Sequence, residues 1–166
     1  SLSKENPYPL QEILVAGFPF GYGVSRTIKY TQGIVSSMAG IGNNYSQLQI
    51  DAAIQPGNSG GPILDAGGNV IGVAVSKLEL KKILKNFGVI PENTNFGIKA
   101  SILKNLLEGN DVPFKENDTR TIPRRELSKK IKSGTVLISC WMTEEQMEKY
   151  NTKKMFFGDF KVSDKE

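Results

Sequence analysis

The chain has 166 residues, of which 39% are hydrophobic and 23% charged, values typical of a globular protein with one or two small domains. The net charge of +4 is small and no basic stripe alternates with aromatic residues, so we expect no nucleic-acid partner. No apolar stretch reaches the ~18 residues of a membrane span. The single cysteine excludes an internal disulfide framework, and the absence of histidine excludes a histidine metal site or general base within the chain; we expect no metal or cofactor.

The first hundred residues predict short strands separated by turns rich in glycine and proline. Apolar or β-branched runs predict strands at 13–16, 27–37, 45–54, 63–64, 70–75 and 95–99. Asp65–Asn69 (DAGGN) is a hairpin-turn signal, and Lys77–Phe87 has helical spacing within a long loop. Ser101 is placed to cap a closing helix over Ile102–Glu108. Together these elements indicate a mostly β domain, either a small antiparallel barrel or a sandwich.

The composition changes after Gly109, where a polar stretch with two prolines begins. We predict three parts: a β domain over 1–109, a linker over 110–123, and a small helix–strand–helix extension over 124–166. Within the extension, helices are expected at Arg124–Lys132 and Thr143–Lys149. Between them, Thr135–Met142 has apolar side chains on both faces, so we predict a strand that is paired and covered.

Two further features of the extension have ordinary structural explanations. Cys140 follows an apolar run, so a buried thiol is the favoured interpretation and a reactive one is the alternative. A basic helix face is formed by Arg124, Arg125, Lys129, Lys130 and Lys132. Solvation explains such a face, and docking to an acidic partner is the alternative.

The segment 51–62 (DAAIQPGNSGGP) carries the clearest chemical signal in the chain. A serine flanked by glycines can sit on a sharp turn that exposes its hydroxyl group. The same glycines allow backbone N–H groups to converge on one point, as in an oxyanion hole. The hydroxyl of Ser59 remains a weak nucleophile until a neighbouring base accepts its proton. The alternative for a bare glycine loop is a solvent-exposed turn without chemistry.

The wider sequence resembles the HtrA/Deg group of trypsin-like serine peptidases. Segment 51–62 differs from that group's nucleophile segment only at Gln55, where the usual residue is asparagine. Four further segments match in order: 16–21 (AGFPFG), 32–36 (QGIVS), 68–73 (GNVIGV) and 95–98 (NFGI). The resemblance covers roughly residues 10–108 and implies the second, Ser-bearing six-stranded antiparallel barrel of a chymotrypsin-like fold, closed by a helix.

By this resemblance, Ser59 is the nucleophile of a serine endopeptidase. The backbone N–H groups of Gly57 and Ser59, with Asn58 between them, form the oxyanion hole. The family takes its histidine and aspartate from a first barrel, which we expect to precede Ser1, so this chain alone would be inactive. The alternative function is a non-catalytic trypsin-like module that binds peptides or partner proteins.

The resemblance also implies a substrate pocket whose base is Ala53, six residues before the serine. Without an acid there, a small or medium apolar P1 residue is expected. Asp51 is expected to have a structural role, or one in the wall of the substrate pocket, and is not the triad aspartate. The pocket residues are predicted to be Ala53, Ile54, Val75, Ser76, Lys77, Asn95 and Phe96. Expected partners are a protein or peptide substrate, the missing first barrel and a possible second copy; the family suggests a periplasmic or otherwise exported protein.

Overall fold

A computed structural model of the chain describes residues 1–20, 27–75, 93–118, 121–138 and 143–144. The first half contains β1 (Leu2–Ser3), β2 (Glu12–Gly17), β3 (Lys29–Ser37), a 3-10 turn (Ile41–Asn43), β4 (Gln47–Ile50) and β5 (Pro62–Leu64). The second half contains β6 (Val70–Val75), β7 (Asn95–Lys99), α1 (Ala100–Glu108), β8 (Glu116–Asn117) and α2 (Arg124–Gly134).

Six of the strands form a closed antiparallel barrel in the order β2, β3, β4, β7, β6, β5. The ring closes because β5 pairs with β6 on one side and with β2 on the other. In these two pairs, Pro62 lies opposite Val73 and Leu64 lies opposite Leu14. The predicted six-stranded antiparallel barrel with a closing helix is therefore confirmed.

Strand alternation divides the barrel into an apolar interior and an outer face. In β2, Ile13 and Val15 point into the barrel, whereas Leu14 and Ala16 belong to a separate cluster on the other face. The interior side chains are almost fully removed from water, and this burial is the main favourable contribution to folding. The interior cluster comprises Ile13, Val15, Val35, Leu48, Ile50, Ala52, Ile54, Ile63, Ile71 and Ala74.

Two short parallel strands extend the sheet beyond β6. Strand β1 pairs with β6 at Leu2 and Val70, and it pairs on its other side with β8. Helix α1 begins at Ala100, one residue before the predicted cap, and Lys104 on this helix donates a hydrogen bond of 2.8 Å to Glu116 in β8. That hydrogen bond raises the pKa of Lys104 above its ordinary value. Because the pair is exposed to solvent, it contributes little to stability.

Helix α2 begins at Arg124, as predicted, and it packs on the outer face of the barrel. Leu127 and Ile131 are 2% and 5% exposed and join Ala16 and Leu64 in the second apolar cluster. Among the basic residues of this helix, Lys130 is half-buried and donates a hydrogen bond of 2.9 Å to the carbonyl oxygen of Gly67. The other four, Arg124, Arg125, Lys129 and Lys132, are exposed.

The strand predicted at Thr135–Met142 is wrong for its described half. Residues 135–138 have no strand assignment, and the side chains of Val136 and Ile138 are 72% and 85% exposed. The physical reason is the closure of the barrel, in which every strand already has two partners. Residues 139–142, including Cys140, lie outside the described residues. The predicted helix Lys77–Phe87 also lies outside the described residues. Of the helix predicted at Thr143–Lys149, only Thr143 and Glu144 are described.

None of the helices in the described parts of the chain is long and apolar enough to cross a membrane.

We predict that Leu127→Ala lowers the free energy of unfolding by about 2–5 kcal/mol, because it removes buried methyl groups and leaves a cavity against the barrel. The matched control is Leu106→Ala on α1, where the leucine is 62% exposed; that change should cost less than about 1 kcal/mol. Chemical denaturation of both variants measures the difference. Equal losses would contradict the docking of α2.

Candidate active site

The segment leading to Ser59 is attached to β3 through Asp51. The backbone N–H of Ile34 donates a hydrogen bond of 2.6 Å to Oδ1 of Asp51, and the Asp51 N–H returns one of 3.3 Å to the Ile34 carbonyl. A Cβ atom at Gly33 would collide with the Asp51 carboxylate, so glycine is required at this approach. The carboxylate of Asp51 therefore accepts a hydrogen bond within the barrel wall.

Two more side chains hold the next two residues of the segment. The side-chain amide of Asn95 donates a hydrogen bond of 2.9 Å to the carbonyl oxygen of Ala52. The hydroxyl of Thr31 donates one of 2.8 Å to the carbonyl oxygen of Ala53. Asn95 is 4% exposed, and a hydrogen bond to a buried carbonyl oxygen removes the cost of leaving it unpaired. Strands β3 and β7 therefore fix the path of the chain immediately before the Ser59 loop.

The backbone N–H groups of the Ser59 loop alternate in their hydrogen bonding. The N–H of Asn58 donates to the carbonyl oxygen of Gln55 at 2.9 Å, and the N–H of Gly60 donates to that of Ala74 at 2.8 Å. The N–H groups of Gly57 and Ser59 have no acceptor among the residues that the structure describes. The loop thus keeps two nearby donors available for a ligand oxygen.

Gly57 has a conformation and a position that require glycine. Its φ is +99°, in a region that residues with a Cβ atom avoid. A Cβ atom there would also collide with the carbonyl oxygen of Phe18. A hydrogen bond joins the same two segments: the N–H of Phe20 donates to the carbonyl oxygen of Pro56 at 2.7 Å. The loop is therefore pressed against the segment that follows β2.

Asn58 and Ser59 are buried to very different extents. Asn58 is 3% exposed, and its side chain packs against Gly17. A Cβ atom added to Gly17 would lie only 2.6 Å from Oδ1 of Asn58. Ser59, the next residue, is exposed to solvent. The turn therefore directs the amide inward and leaves the serine accessible, which is the arrangement a nucleophile needs.

Most of the predicted pocket residues lie either just before this loop in the chain or in strands β6 and β7, which form hydrogen bonds to the loop or to the residues before it. Ala53 is exposed, and Val75 is half-buried opposite Phe96 in the β6–β7 pair. Asn95 and Phe96 are buried, while Ile54 is 1% exposed and belongs to the interior cluster, so its side chain packs in the core. Ser76 and Lys77 lie outside the described residues.

A separate cavity of about 490 Å³ contains none of the residues of segment 51–62. Its walls include the acidic side chains of Glu5, Glu12, Asp65 and Asp118. The carboxylate of Asp65 accepts hydrogen bonds from Gly67 and Asn69 in its own turn. This cavity is therefore distinct from the Ser59 loop.

Sequence reasoning did not single out Thr31 as part of the site. The signal for it is the alternation along β3, which places Thr31 on the same face as Val35, a fully buried core residue. A hydroxyl on an interior face needs an acceptor, and the carbonyl oxygen of Ala53 supplies it.

We predict that Gly57→Ala costs at least about 1 kcal/mol more free energy of unfolding than Gly42→Ala. Gly42 also has a positive φ, of 63°, but a Cβ atom there meets nothing within 4 Å. Both variants introduce backbone strain, and only Gly57→Ala adds the collision with Phe18. Denaturation curves of the two variants give the difference; equal costs would show that the loop does not depend on this approach.

Comparisons with known proteins show which proteins this chain is similar to. A family model described as a trypsin-like peptidase domain matches residues 1–73. The chain is 37% identical over 131 residues to the uncharacterized protein y4bJ of Sinorhizobium fredii, an alignment that covers 78% of this chain and 21% of that protein. It is 35% identical over 106 residues to the serine protease Do-like HtrA of Bacillus subtilis, which covers 59% of this chain and 21% of the relative.

Among solved structures, the serine endoprotease from Yersinia pestis matches with a TM-score of 0.49 and 28% identity, over 64% of this chain and 32% of that one. The chain spans about a fifth of the length of the curated relatives it matches. The residues matched by the family model include segment 51–62. The family model and the curated HtrA relatives show that this chain is similar to trypsin-like peptidases of the HtrA type.

Proposed function

We propose that this chain supplies the nucleophile and the oxyanion hole of an HtrA-like serine endopeptidase. The observation that carries the proposal is the alternation of N–H groups in the Ser59 loop. Those of Asn58 and Gly60 are bonded within the barrel, and those of Gly57 and Ser59 have no acceptor in the described residues. Two such donors beside an exposed serine fit the oxygen of a tetrahedral intermediate.

In the proposed reaction, Oγ of Ser59 forms a bond to the carbonyl carbon of a peptide while its proton passes to a base. The carbonyl oxygen becomes an oxyanion that accepts hydrogen bonds from Gly57 and Ser59. The same proton then moves to the leaving amine as the C–N bond breaks, which leaves an acyl-enzyme for water to hydrolyse. The chain contains no histidine, so the proposed imidazole base and its aspartate come from outside these 166 residues.

The exposed Ala53 and the half-buried Val75 offer apolar side chains that could contact the P1 side chain. Neither residue provides a counter-charge for a basic P1 group. A small or medium apolar P1 residue is therefore the proposed preference.

The alternative is a non-catalytic module that binds peptides or partner proteins. Such a module needs no general base, and the exposed Ser59 would then only contact a bound peptide. The two proposals differ in whether Ser59 reacts, which can be measured directly.

We predict that the isolated chain hydrolyses peptides at the background rate and is not labelled by a fluorophosphonate. Loss of the general base lowers the rate by roughly 10²–10⁴-fold or more. Combined with a first barrel that carries histidine and aspartate, in one polypeptide or as two chains, it should be labelled and should cleave peptides. Ser59→Ala should abolish both signals.

The control for this measurement is Ser128→Ala, because Ser128 is an exposed serine on α2, outside the Ser59 loop. It should leave labelling unchanged. A reconstituted protein that binds peptides but is never labelled would favour the non-catalytic module. Turnover by the isolated chain that disappears in Ser59→Ala would contradict the need for an external base.

We predict that Ala53→Asp in the reconstituted protease shifts the P1 preference towards lysine and arginine, because the new carboxylate supplies a counter-charge at the pocket base. The change in the ratio of kcat/KM for a basic over an apolar P1 substrate should be tenfold or more, or about 1.4 kcal/mol. The matched control is Ala66→Asp, since Ala66 lies in the hairpin turn. An unchanged ratio in Ala53→Asp would show that Ala53 is not the pocket base.

A further inference from the structure

Two complementary polar groups are buried near the Ser59 loop without a hydrogen-bond partner. One is Nζ of Lys29, at the start of β3, and the other is Oδ1 of Asn58. Neither has a partner among the described residues. A buried ammonium or amide oxygen without a hydrogen bond is costly, so such exceptions are rare in stable proteins.

The register of the barrel places the two residues on the same side of the sheet. Lys29 lies directly opposite Gly17 in the β2–β3 pair, so the two residues face the same way. That face is the interior one, because Val15 and Thr31 form the next pair along it and Val15 is a core residue. A Cβ atom on Gly17 would lie 2.6 Å from Oδ1 and 3.0 Å from Cα of Asn58.

The distance between the two groups is within reach of a lysine side chain. Directly opposite residues have Cβ atoms about 4.5–5.5 Å apart, so Cβ of Lys29 lies about 8 Å or less from Oδ1 of Asn58. The flexible four-carbon stem of lysine spans most of that separation and carries three donors at its end. The two atoms form no direct hydrogen bond in the described structure, and one bridging water between them satisfies both groups.

We propose that Lys29 is a positioning residue for the nucleophile loop, whose ammonium is linked to Oδ1 of Asn58 through one bridging water. The interaction between Lys29 and Asn58 can exist whether or not the protein is a protease. Its effect on catalysis rests on the proposed function. Asn58 lies between Gly57 and Ser59, whose N–H groups have no acceptor within the described segments, and a side chain anchored in the barrel fixes the orientation of both adjoining peptide groups.

The competing acceptor is Oδ1 of Asn95, which is also buried without a partner in the described structure. The side-chain amide of Asn95 bonds to Ala52, and Ala52 lies against Gly33. Gly33 is four residues along β3 from Lys29, a separation of about 13 Å in a strand. Asn58 lies at the same level of the barrel as Lys29 and is therefore the acceptor.

The test is a charge-complementation cycle on the 166-residue chain with Lys29→Met, Asn58→Asp and the double variant. With Lys29 present, the Asn58→Asp carboxylate gains an ion-pair partner; in the double variant it is buried without one. Asn58→Asp should raise the unfolding equilibrium constant by a larger factor in the Lys29→Met background than in the wild-type background. We expect the two factors to differ by at least about tenfold. Lys129→Met, at an exposed lysine, should show no such coupling.

A spectroscopic measurement separates positioning from packing, because methionine retains most of the lysine stem. In ¹⁵N spectra, the side-chain amide signal of Asn58, identified by its loss in Asn58→Asp, should shift in Lys29→Met and not in Lys129→Met. The backbone signals of Gly57 and Ser59 should shift with it. This measurement also decides the matter if the double variant does not fold.

Additive effects in the cycle, or an unshifted Asn58 signal, would overturn the proposal, as would coupling of Lys29 to Asn95→Leu in place of Asn58. None of these measurements requires turnover. A coupled pair in a protein that is never labelled at Ser59 would therefore reject the proposed function alone.

Discussion

Strand β5 has only three residues, yet its pairing with β2 and β6 closes the barrel. This strand follows the Ser59 loop directly, so the loop begins on one wall of the barrel and ends on another. Gly61 lies close to the carbonyl oxygen of Ala16, and its own carbonyl accepts a hydrogen bond of 2.8 Å from Ala74. Two neighbouring strands therefore hold the end of the loop, and the exposure of Ser59 depends on the closure of the ring.

The polar groups of the interior are gathered at one end of this ring. Along β3, the interior face changes from the apolar Val35 to Gly33, Thr31 and finally Lys29. The segment from Asp51 to Asn58 passes over these residues in the same order, and Asp51 and Ala53 each make a hydrogen bond to β3. Apolar burial thus stabilises the body of the barrel, while directional hydrogen bonds determine the course of the chain at the end that carries the serine.

Much of the barrel could be predicted from the sequence because its signals are local. Strand β6 lies at the predicted residues, and the turn Asp65–Asn69 connects it to β5, as expected. The packing of α2 could not be predicted, since only Leu127 and Ile131 of this very polar helix are buried and their partners are distant in sequence. The core position of Ile54 is also non-local. The roles of Ser59 and the pocket residues, and the division into domains, stay predictions.

The two-residue strand β8 lies at the end of the order of described strands, next to the equally short β1. Every strand of the barrel proper has a neighbouring strand on both sides, and among the described strands β8 stands at the end of the order. Long unpaired edges are templates on which other chains pair and aggregate. In a protein with many apolar β-branched residues, closing the ring removes long strand edges through which other chains could pair.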